Sequence, residues 1–63
     1  MENDRAELSA LATSLDDLAA RITAAADRYR GTPRSDLADG LYEVERSLLS
    51  ASRKLEQVLR TMR

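Results

Sequence analysis

Apolar residues recur in this chain as two unbroken heptad stripes divided by one short break, a pattern that leaves room for little besides two long helices. The first stripe runs Leu8, Leu11, Leu15, Leu18, Ile22, Ala25 and Tyr29, alternating steps of three and four. The second runs Leu37, Leu41, Val44, Leu48, Ala51, Leu55, Val58 and Met62 in the same alternation. A 3.5-residue repeat is the mark of a helix that lays one continuous ridge against another. Between the stripes stands Gly31-Thr32-Pro33. Glycine suits the left-handed position that ends a helix, threonine can cap the next one, and proline fits its first turn. So short a connection favours antiparallel neighbours.

The expected fold is therefore all-α: residues 1–63 form a single antiparallel two-helix hairpin of coiled-coil type. Helix one spans about 4–30, the turn 31–32 and helix two about 33–61. Asp4 followed by Glu7 suits a capping box, and Asn3 is an equally good cap. Ser14 and Asp17 offer a later start, but the first stripe crosses them without a skip. Gly40 lies inside helix two, where glycine costs about 1 kcal/mol relative to alanine.

A hairpin of 63 residues is hard to stabilise alone. Chains this short usually add disulfides, a metal or partner subunits to a small core. With no cysteine and no histidine, disulfides, Cys/His zinc sites, Cys–His dyads and an imidazole base are all excluded. Carboxylate-bridged metal bundles are excluded too, because they need a Glu-x-x-His pair. Oligomerisation remains. Ala12, Ala19 and Ala26 recur every seven residues beside the first stripe, a row that lets another helix come close. Tyr42, Leu49 and Leu59 widen the apolar face of helix two beyond one seam. Helix one has a bland outer surface of Ser9, Ala10, Thr13, Ala20, Thr23 and Ala24, as though it too were partly covered. Two hairpins packed as a four-helix bundle satisfy all of this. Leu8, Leu11, Leu15, Leu18, Ile22, Leu37, Leu41, Val44, Leu48, Leu49, Leu55, Val58 and Leu59 are the expected core and interface. Tyr29 and Tyr42 are expected at bundle ends or edges with their hydroxyls in water.

Catalysis has little to work with, since carboxylates, Lys54 and the serines are spread over helix surfaces without a loop long enough to form a pocket. No catalytic residue, metal site or cofactor is expected, and the chain reads as a non-enzymatic interaction module, a self-associating adaptor or regulator. The partner is a second copy or another helical protein. No window approaches about 18 uninterrupted apolar residues, and the N-terminus lacks the basic-then-apolar order of a signal peptide. A cytoplasmic protein without a membrane role is expected. The nine-to-one ratio of arginine to lysine and the abundant alanine fit a GC-rich bacterial genome.

A net charge of −1 supplies no global field for nucleic acid. Locally the balance shifts, because from Arg46 to Arg63 the only acid is Glu56. Arg46, Arg53 and Arg60 are seven apart and project opposite the Leu48/Leu55 stripe at intervals of roughly 10.5 Å. Ser50 and Gln57 lie beside that line, and Lys54 and Arg63 extend it. Such an edge suits phosphates or an acidic protein surface. Ser50, Arg53 and Gln57 also have the S-x2-R-x3-Q spacing that resembles part of the helical motif of actinobacterial anti-sigma proteins that bind cyclic di-GMP on a hairpin. In that family acids stand four residues before the serine and four after the glutamine; here those places hold Arg46 and Thr61. The resemblance implies a cyclic dinucleotide on this edge. In overall plan the chain also resembles plasmid-encoded RNA-binding hairpin dimers of similar length. Nucleic-acid or nucleotide binding is thus the alternative reading.

Overall fold

The computed structural model describes residues 2–62, with Glu2 described by its backbone alone. Helix α1 covers Glu2–Tyr29 and helix α2 covers Ser35–Thr61. The two pack along their length into an antiparallel hairpin about 49 Å long and 14 by 9 Å across the Cα atoms.

α1 begins at Glu2, so Asn3 and Asp4 lie inside its first turn and do not cap it. Asp4 still carries its charge where the exposed amides of a helix start favour an anion. The helix passes through Ser14 and Asp17 without interruption, as expected where the apolar repeat does not break.

At the turn, Gly31 adopts φ 78°. Only glycine takes that conformation without steric cost. The Thr32 hydroxyl donates to the Tyr29 carbonyl at 2.6 Å, and the Arg34 amide donates to that same hydroxyl oxygen at 3.1 Å. Backbone bonds from Ser35 to Thr32 and from Leu37 to Arg34 complete the turn. α2 therefore starts at Ser35, two residues after the expected Pro33, with Arg34 in the cap position and no side-chain cap bond. Thr32 acts as a cap on the turn and not on the helix: it meets the Arg34 amide before the helix has begun.

The open end of the hairpin is tied by a longer bond. Arg5 Nη1 donates to the Leu59 carbonyl at 3.1 Å, reaching across from the start of α1 to the last turn of α2. A guanidinium there satisfies a carbonyl near the helix end and meets the negative end of the helix dipole.

Candidate interaction surface

Small residues, not leucines, meet at the centre of the hairpin. The buried residues are Ala12, Ala19, Ala26, Ala38 and Ser52, with Ala26 and Ala38 at 0% and 1% exposure. Ser52 Oγ lies 3.5 Å from the Ala12 carbonyl oxygen, and Arg5 is bonded to Leu59. These contacts set Ala12 level with Ser52 and Arg5 level with Leu59. Stepping by seven then sets Ala19 level with Glu45 and Ala26 level with Ala38. One column on each helix forms the seam, and alanine methyls let the backbones approach closely.

The remaining columns follow from helix geometry. In an antiparallel pair, residues three after and one before a seam residue fall on the same side of the hairpin on both helices. On that first side lie Leu8, Leu15 and Ile22 beside Leu41, Leu48 and Leu55, all half-buried. Outside them stand Leu11, Leu18, Val44 and Val58, which are 48, 43, 44 and 48% exposed. Leu37 and Ala25 are half-buried in the same outer columns. Among the described residues no large side chain is fully buried. One broad side of the hairpin is thus a continuous apolar face that the chain itself leaves half open. Full burial of a leucine or valine stabilises by roughly 1.5–3 kcal/mol, of which about half remains unrealised at each such position.

Most of the residues expected to form core and interface are therefore brought together on a shared face, and Leu49 and Leu59 are not. Leu59 belongs to the seam column itself, and Leu49 lies with Tyr42 on the opposite side. Sequence reasoning missed Ala38, Glu45 and Ser52 as seam residues. The signal was present: Ala38, Glu45, Ser52 and Leu59 are seven apart, like Ala12, Ala19 and Ala26. A carboxylate in the column concealed it, and that carboxylate is satisfied by Thr23, whose hydroxyl donates to Glu45 Oε2 at 2.6 Å.

The second side of the hairpin is mostly polar, with Leu49 half-buried among charged and hydroxyl side chains. Tyr42 hands its hydroxyl hydrogen to the Asp27 carboxylate and not to water, which corrects the expectation for that residue. The bond to Asp27, then desolvation, raise the Tyr42 phenol above its ordinary 10.0. Arg46, Arg53 and Arg60 follow their seam residues by one and so belong to this side, all three exposed. Arg46 lies 4.0 Å from Glu43, at the weak limit of an ion pair. Gln57 is exposed, and Ser50 is partly shielded. Ser50, Arg53 and Gln57 share one outer surface of α2, but of the three only Ser50 borders the open depression lined by Glu43, Arg46, Ser47, Ser50, Ala51 and Lys54. Its walls carry both signs of charge. Arg63, expected to extend the line, lies outside the described residues.

Among the described residues no three His, Cys, Asp or Glu side chains converge to hold a metal, and no helix is long and apolar enough to cross a membrane. The chain matches no protein-family model, and no curated protein or solved structure is significantly similar to it.

Proposed function

We propose that this chain is a non-enzymatic protein–protein interaction module, a small adaptor or regulator that completes a four-helix bundle by covering its apolar face with two further helices. One observation supports the reading above others: Leu11, Leu18, Val44 and Val58 are all more than 40% exposed on the same side, while the opposite side is mostly polar. An exposed apolar strip on a water-facing surface supports a contact site, because such strips are otherwise costly to leave in water. The face is flat and two helices wide, the shape that a helical pair fits and a small ligand does not.

The test uses the tagged chain in the organism that encodes it. Wild type is expected to elute in a complex larger than its own 7.0 kDa. Val44→Asp places a charge at a site already open in the lone hairpin, so folding is spared while any covering partner is repelled. It should elute as the free chain. Equal elution of the two proteins would remove the face from the function.

The alternative, binding of nucleic acid or a cyclic dinucleotide, is favoured by the position of Arg46, Arg53 and Arg60 away from the apolar face, where a bundle leaves them accessible. Titration with RNA, DNA and cyclic dinucleotides at two salt concentrations tests it. Phosphate contacts must weaken as salt rises, and no salt-sensitive binding ends that reading.

A further inference from the structure

We infer that the occupant of the apolar face is a second copy of this chain, related by a two-fold axis lying in the interface plane. The inference rests on the reading that helices cover this face, and it adds which helices they are.

Size is the first argument. Helices about 40 Å long lying side by side offer a face roughly 20 Å wide, or roughly 800 Å² per partner, the amount each side of a stable complex buries. A second copy offers a face of equal length and width.

Shape is the second. With the two-fold along the hairpin, α1 of one copy lies over α2 of the other, level by level as within the hairpin. Leu11 then meets Ala51 of the second copy and Ala25 meets Leu37, pairing large with small toward the ends of the outer columns, while Leu18 and Val44 meet each other at the centre. With the two-fold across the hairpin, Leu11 meets Ala25 of the second copy and Leu37 meets Ala51, while Leu18 and Val44 each meet their own counterpart at the axis.

Charge is the third. The rim of the face is the column two residues after the seam: Glu7, Ser14, Arg21 and Arg28 on α1, and Gly40, Ser47 and Lys54 on α2. All of these are exposed. The lengthwise two-fold brings Glu7 to Lys54 of the second copy, and the crosswise one brings Glu7 to Arg28. Under either axis no charged rim residue faces its like. Gly40, where an added methyl group would meet nothing within 4 Å in the lone hairpin, comes to lie beneath a long basic side chain of the second copy.

Sedimentation equilibrium of the purified chain across the micromolar range tests the inference. The expected mass is twice 7.0 kDa. Glu7→Lys, at an exposed site, should weaken dimerisation on the order of tenfold, because it acts twice per dimer and turns attraction into repulsion. Restoration by added Arg28→Glu supports the crosswise axis, and restoration by added Lys54→Glu the lengthwise one. A single-chain mass throughout overturns the inference. If the Val44-dependent complex persists in cells alongside that result, the interaction reading stands and only the second copy is lost. A dimer indifferent to Glu7→Lys overturns the arrangement of rim charges on which the inference was built.

Discussion

Replacing Ala26 by leucine tests the small-residue seam directly. Ala26 is 0% exposed, level with Ala38 at 1%, and Leu adds an isopropyl group where the two helices bury each other most completely. With both facing positions buried, the helices must separate or the side chain must leave its rotamer. Overpacking of this kind costs about 1–3 kcal/mol. Leucine and alanine differ little in helix propensity, so the packing term dominates. A loss of about 2 kcal/mol lowers Tm by about 8–16 °C in a domain of this size. Ala24→Leu, at an exposed position of the same helix, is the control and should stay within about 0.5 kcal/mol of wild type. Thermal melts followed by far-UV circular dichroism at one fixed chain concentration compare the three proteins, since association also moves Tm. Had the leucine stripes formed the seam, the added isopropyl group would fill a flank and raise Tm. An Ala26→Leu melt at or above that of Ala24→Leu would refute the small-residue seam.

Gly31→Ala should lower stability by about 1–2 kcal/mol through backbone strain alone, because φ is 78° and nothing crowds the position; an unchanged melt would mean the turn is not left-handed. Thr23→Val removes the donor to the half-buried Glu45 carboxylate and should cost about 1–2 kcal/mol. In a Glu45→Gln background the same change should cost less, and a strictly additive double-mutant cycle would show the two side chains to be uncoupled. Asp27→Asn should bring the Tyr42 phenol back toward 10.0, read by absorbance titration in a Tyr29→Phe background. Because the folded value lies above the unfolded one, the Asp27–Tyr42 bond contributes its stability in full below pH 10 and loses it as pH rises through the folded value. Coincident titration curves for the two proteins would rule out Asp27 as the cause.

Much of the fold was legible from particular residues. The unbroken steps from Leu8 to Tyr29 and from Leu37 to Met62 imply two helices, and Gly31 places the reversal within one turn of where it occurs. Element ends were less legible. Thr32 and Pro33 look like the start of α2, yet the threonine hydroxyl is engaged in closing the turn, and the helix waits until Ser35. The apolar face was legible as a set of residues, but its place in the hairpin was not. The exposed arginines were legible as a line, whereas the mixed charge around them emerges only when Glu43 and Arg46 are seen together.

Sequence by itself determined the angles between side chains on each helix, because a 3.5-residue repeat is a local property of a single chain segment. It could not determine how far each helix is turned about its own axis toward the other, which is a property of two bodies in contact. Ranking residues by hydrophobicity puts the leucines at the centre. Close approach of two backbones rewards alanine and serine there instead, moves the leucines to one flank, and so creates the half-open apolar face from which the proposed function follows.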